Sequence, residues 1–112
     1  MINIVIKKKS GIINEIVASG HSGYAERGSD IICAAVSAVV QTAFLGVKNI
    51  SNKQVVIRRD DAKGFISLKI NNLKDKELEK SQIIFETMIL GLKDIESDYK
   101  KYLKLEEEDE IY

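Results

Sequence analysis

His21 and Cys33 are the only histidine and the only cysteine of this 112-residue chain. They sit in one stretch, Gly20-His21-Ser22-Gly23-Tyr24-Ala25-Glu26-Arg27-Gly28-Ser29-Asp30-Ile31-Ile32-Cys33. An imidazole and a thiol are the parts needed for nucleophilic acyl transfer. The thiolate attacks a carbonyl, and the histidine takes and returns the proton. A free thiol is mostly protonated at neutral pH, so such a site needs something that favours the anion. Two features can do so. Ser29 or Asp30 supplies the side-chain oxygen wanted at a helix N-cap, which would put Cys33 in a first helical turn, near unpaired N–H groups and the positive end of the dipole. A nearby imidazolium would add to this, and His21 is the one candidate. The same N–H groups could hold the oxyanion of the attacked carbonyl. Gly20, Gly23 and Gly28 make the intervening segment a loop that can bring a strand end to a helix start.

Each of these residues also has a plainer reading. A cysteine among alanines and valines is a small core residue, and a histidine at a strand end is a structural hydrogen-bonder. Asp30 is either a simple N-cap, or an orienter of His21 or a substrate contact. Ser37 lies one turn past Cys33 and either contacts the site or bonds back to the Cys33 carbonyl. A phosphate cradle from the glycines is not expected, because no Lys-Ser/Thr pair follows at P-loop spacing. One histidine and one cysteine give two soft ligands at most, so a metal site is not expected.

The elements that must position this pair are read from periodicity. Ile2, Ile4 and Ile6 alternate with Asn3, Val5 and Lys7, a half-buried strand. Lys7-Lys8-Lys9 runs into a Ser10-Gly11 turn, and a second strand spans Ile12 to Ser19. From Ile31 to about Ile50 the chain is apolar nearly all round, with many small residues, which predicts a buried helix. Gln54–Arg59 and Phe65–Ile70 are strands joined by a hairpin loop, with Gly64 at its left-handed position. A long helix begins near Asp75, with Leu78, Phe85, Met88, Leu92, Ile95, Tyr99 and Tyr102 recurring at threes and fours. Gly91 within it marks a close contact or a bend. Glu106 to Glu110 are five consecutive acids. At a helix C-terminus acids oppose the macrodipole, so residues 106–112 are expected to fray as a tail. The expected fold is α+β in the order ββαββα: two hairpins merged into a four-stranded antiparallel sheet, layered against two helices, in one domain over residues 1–112. The helices carry more apolar surface than so small a sheet covers, which predicts a homodimer.

Bulk composition excludes several classes. Hydrophobic residues make up 45% and charged residues 30% of the chain, against disorder. Lys+Arg and Asp+Glu are both 17, so net charge gives no argument for nucleic acid or an anionic membrane. The N-terminus goes straight into strand pattern without a basic segment and an apolar core, so no signal peptide is expected. The apolar run Ile31–Val40 is too short to span a bilayer. A single cysteine suits a reducing compartment, and a cytoplasmic protein is expected.

The blocks Gly20-His21-Ser22-Gly23-Tyr24-Ala25-Glu26 and Asp30-Ile31-Ile32-Cys33-Ala34-Ala35-Val36-Ser37-Ala38 resemble the ribosomal-processing cysteine protease family (Prp). That family carries a G-H-x-G-Y-A block and a D-I-x-C-A-A-x-S-A block at this separation. Ser22 stands where many members have alanine. The resemblance extends over the whole chain. It implies an intracellular endopeptidase that removes a short N-terminal extension from a large-subunit ribosomal protein, an apolar or aromatic residue before the cut, and a small layered homodimer. It also implies Cys33 as nucleophile and His21 as general base, with Gly20, Gly23, Asp30 and Ser37 supporting the site or binding substrate. The Ser22–Ser29 loop would order over the peptide. No cofactor, membrane or direct nucleic-acid contact is implied.

Two other readings compete. In one, the chain is a non-catalytic ribosome- or RNA-associated module, holding phosphates with Lys7-Lys8-Lys9 and Arg58-Arg59. The lysine run is also readable as a solvated hairpin tip that blunts a sheet edge. In the other, the chain is a structural dimer with a buried, inert thiol.

Overall fold

Alternating isoleucines form the central strand of the sheet. The computed structural model describes residues 1–20 and 27–110, with the backbone alone for 27–30. Strand β1 (Ile2–Lys9) turns through Ser10-Gly11 into β2 (Ile12–Ser19). Helix α1 (Arg27–Ile50) follows, then the hairpin of β3 (Val55–Asp60) and β4 (Phe65–Ile70). Helix α2 (Asp75–Asp98) leads to a fifth strand, β5 (Leu103–Glu110). The sheet order is β3-β4-β2-β1-β5. The two hairpins join through an antiparallel β2–β4 pair, as expected. Gly64 has φ +60°, the left-handed conformation the β3–β4 turn requires.

The register fixes which face is buried. Ile4 lies opposite Ala18 and Ile6 opposite Ile16, and Ile16 in turn lies opposite Leu68. These residues and Ile2, Val55 and Ile70 form one core with Val36, Val40, Phe44 and Val47 of α1 and Phe85, Met88 and Leu92 of α2. Both helices therefore cover the same face of the sheet. At a bulge, Lys7 opposes Glu15 but Lys8 opposes Ile13. Beside it Gln82 of α2 accepts from the Ile13 N–H at 2.9 Å and donates to its carbonyl at 2.8 Å, so α2 bonds both backbone groups of Ile13.

Three expectations need correction. The sheet has five strands and is mixed, not four strands and antiparallel, because the acidic segment is not a frayed tail but strand β5, parallel to β1. Leu103 and Leu105 oppose Ile2 and Ile4, and beyond them Glu108, Asp109 and Glu110 oppose Lys7, Lys8 and Lys9. Opposite charges lined up across such an edge favour the pairing, by no more than about 1 kcal/mol for an exposed pair. Lys8 Nζ also lies 3.4 Å from Glu107 Oε2, and Lys7 Nζ 3.9 Å from Glu15 Oε1. The lysine run is thus set against carboxylates, which removes the main support for the phosphate-binding reading.

The second correction concerns the helix ends. Helix α2 stops at Asp98, so Tyr99 caps it and Tyr102 lies in the turn before β5. A Cβ at Gly91 would meet Val39 at an ordinary 3.9 Å, so crowding does not explain that glycine.

The third concerns α1, which is not buried all round. Ile31 and Leu45 are 67% and 69% exposed, and Ala34, Ala35 and Ala38 lie between them on the outer face. The apolar helical run is also longer than Ile31–Val40. Residues Ile31–Ile50 have a mean hydropathy of 1.8, enough by length and composition to cross a membrane. In the fold, the inner face of this segment packs on the sheet as a core helix.

Candidate active site

Strand β2 ends where the chain has to turn away from the sheet. Gly20, the first residue after it, has φ +96°. A Cβ there would collide with the carbonyl oxygen of Met1, so glycine is required both for the backbone angle and for the close approach to the start of β1. This pins the end of β2 against the start of β1.

A cavity of about 230 Å³ opens at that junction, and Gly20, Cys33 and Ser37 all line it. Its apolar wall is built by Val36, Val40, Phe65 and Ile66, and its polar rim by Ser19, Gln41, Arg59 and Asp61. Cys33 is half-buried and packs against the hydrophobic core. Cys33, Ser37 and Gln41 recur every four residues, so one face of α1 presents all three. Gln41 Nε2 donates to Ser37 Oγ at 2.6 Å. An apolar wall with a polar rim around a thiol is suited to an extended peptide: the wall accepts a large side chain and the rim addresses the main chain.

The structure thus brings together Gly20, Cys33 and Ser37. His21 and Gly23, and with them the loop from Ser22 onward as far as Glu26, lie outside the described residues. Asp30 lies within α1. The expected N-cap at Ser29 or Asp30 is not where the helix begins. Helix α1 starts at Arg27, which puts Cys33 in its second turn, six residues or roughly 9 Å along the axis from the start. The Cys33 N–H belongs to the i→i−4 ladder there, and the dipole effect is confined to the first turn. The first-turn N–H groups are therefore not at the thiol, and among the described residues Ser37, Gln41, Arg59 and Asp61 share its cavity.

Sequence reading did not find Gln41, Arg59, Asp61 or Phe65. Gln41 was recoverable, since it continues the Cys33–Ser37 spacing by one more turn. Arg59, Asp61 and Phe65 reach the cavity only because the β3–β4 hairpin docks beside β2, which no local pattern encodes. Among the described residues, no group of three or more His, Cys, Asp or Glu side chains is placed to hold a metal ion.

The chain is similar to known proteins over most of its length. The family model described as cysteine protease Prp matches residues 1–104. A ribosomal processing cysteine protease Prp of Bacillus subtilis is 33% identical over 88 residues, covering 78% of this chain and 79% of the relative. Two solved structures of a ribosomal processing protease Prp from S. aureus superpose closely. One, in complex with a substrate peptide, has TM-score 0.83 and 26% identity and covers 96% of this chain and 100% of its own. The other, with a covalently linked product peptide, has TM-score 0.80 and 27% identity at the same coverage.

Proposed function

Because the chain belongs to the Prp family of cysteine proteases, we propose that it is an endopeptidase that removes the N-terminal extension of a large-subunit ribosomal protein. Cys33 is the nucleophile and His21 the general base and acid. The observation that carries this reading is the shared cavity. Gly20, which immediately precedes His21 in the sequence, lines the same 230 Å³ space as the sole thiol. The substrate and product peptides bound by the S. aureus relatives support a peptide as the ligand, and a covalent product there is what a thiol nucleophile would give.

In this mechanism the Cys33 sulfur attacks the scissile carbonyl of an extended peptide, forming a carbon–sulfur bond and an oxyanion. His21 holds the thiol proton and delivers it to the departing amine as the carbon–nitrogen bond breaks. A water molecule, deprotonated by His21, then attacks the thioester and releases the carboxylate and the thiol. The apolar wall of Val36, Val40, Phe65 and Ile66 suits an apolar or aromatic residue before the cut. Asp30 and Gly23 support the loop and the histidine. The reaction takes place in the cytoplasm, where a lone thiol stays reduced.

Two experiments test this. Incubating the protein with large-subunit ribosomal proteins of the same cell, each still carrying its N-terminal extension, should shorten one of them by a discrete segment, read by mass spectrometry of its N-terminus. Loss of no segment from any of them would refute the substrate assignment. Iodoacetamide should label Cys33 rapidly at pH 6–7, and His21→Ala should slow labelling at least tenfold. Equal rates in the two proteins would leave His21 without its role.

The active unit is a homodimer formed across the outer helical face. Ile31 and Leu45 of α1 and Ile83 and Leu90 of α2 are 57–71% exposed, and α1 places no charged side chain between Ile31 and Leu45. An apolar surface of that kind is what a second copy would cover. Light scattering should give twice the chain mass for the wild type and the single-chain mass for Leu45→Glu. A monomeric wild type would contradict the assignment.

A further inference from the structure

A chain of side-chain hydrogen bonds crosses the rim of the Cys33 cavity. Gln41 Nε2 donates to Ser37 Oγ at 2.6 Å, Arg59 Nη1 donates to Gln41 Oε1 at 3.2 Å, and Arg59 Nε donates to Asp61 Oδ1 at 2.6 Å. The direction of every bond is set from the far end. A guanidinium has donors only, so Gln41 must turn its carbonyl oxygen to Arg59 and its NH2 group to Ser37. Ser37 is then the acceptor in that bond, and its own proton must point elsewhere. Among the described residues the hydroxyl makes no bond back to the Cys33 carbonyl or to any other group. Ser37 lines the cavity one helical turn from Cys33. The helix N-terminus, the other source of donors expected near the thiol, is about 9 Å further along the axis.

We infer that Asp61, Arg59 and Gln41 are positioning residues that fix the polarity of Ser37, so that its hydroxyl proton is aimed into the Cys33 cavity and donates to the carbonyl oxygen under attack. This rests on the reading of Cys33 as the nucleophile. The network does little for the fold. The Arg59 and Asp61 side chains are 52% and 77% exposed, and surface ion pairs of this kind add little to stability. Its effect should therefore fall on turnover.

Gln41→Glu tests the polarity directly. A carboxylate still accepts from Arg59 but cannot donate to Ser37, so the serine proton turns toward it and away from the cavity. Two probes are used: the peptide spanning the cut identified as above, and p-nitrophenyl acetate, a small acyl donor that needs no peptide recognition. The expected result is a fall of at least tenfold in kcat on the peptide with KM within twofold, and a matching fall in ester hydrolysis. Melting temperature and the rate of Cys33 labelling by iodoacetamide should not change, since displacement at a methylene carbon builds no oxyanion. Arg59→Ala should lower kcat in the same way, and Arg59→Lys should restore part of it. In a Ser37→Ala background, Gln41→Glu should cost nothing further.

Wild-type turnover in Gln41→Glu, an additive loss in the Ser37→Ala background, or an equal slowing of alkylation would overturn the inference. If the wild type cuts no ribosomal-protein peptide but hydrolyses the ester with this pattern of variants, the substrate assignment falls and the network stands. A wild type inert to both probes would overturn both.

Discussion

Cys33→Ala should lose all measurable peptide cleavage, at least a thousandfold in kcat, while keeping its fold. The chain holds no second cysteine to substitute for it. Removing a covalent nucleophile leaves only the residual effect of binding and positioning, and the mechanism has no other group that forms the acyl intermediate. The structural cost is small because Cys33 sits half-buried at the margin of the core, not at its centre. Deleting one sulfur there should cost about 1 kcal/mol. Circular dichroism and thermal melting of the variant, run beside a cleavage assay, check both halves. A variant that unfolds would make Cys33 structural, and one that still cuts would make it irrelevant to the chemistry.

Gly20→Ala should be the most destabilising conservative change at the site. The backbone there is at φ +96°, a region that costs an L side chain about 1–2 kcal/mol, and the new methyl would strike the Met1 carbonyl oxygen. Relieving that collision has to move the start of β1 or the end of β2, a further cost of about 1–3 kcal/mol. A total near 3 kcal/mol corresponds to a fall in Tm of roughly 10–15 °C for a domain of this size. Because Gly20 also lines the cavity, kcat/KM should fall even well below the new Tm. An unchanged Tm would mean that Gly20 does not hold β2 against β1 as described.

Much of this architecture was readable locally, and the misses share one cause. Ile2, Ile4 and Ile6 declare their strand by alternation, and Phe85, Met88 and Leu92 declare their helix by threes and fours, because burial of one face imposes the period. The acidic strand β5 has no such local signal. Glu106 to Glu110 are poor strand formers, and they continue the strand begun at Leu103 only beside β1, where the last three of them oppose Lys7, Lys8 and Lys9, about a hundred residues earlier in the chain. The start of α1 was misplaced for the opposite reason. Ser29 and Asp30 are good caps by type, but the helix extends past them to Arg27, so the local preference was not the one used. At the site, Gly20, Cys33 and Ser37 line one cavity. Locally, Arg58-Arg59 reads as a phosphate-holding pair, but in the fold the Arg59 guanidinium is taken up by Asp61 and Gln41 at the cavity that Cys33 lines. That placement depends on the sheet order, which lies beyond any single segment.

The central claim is that turnover passes through the one sulfhydryl in the chain. Graded alkylation with iodoacetamide measures this most directly, since intact-mass spectrometry counts carboxamidomethyl groups at a residue that has no rival. Residual peptide cleavage plotted against label per chain should fall in a straight line and reach zero at one label. Protein that carries a full label on Cys33 and still cuts at the unmodified rate would contradict the account.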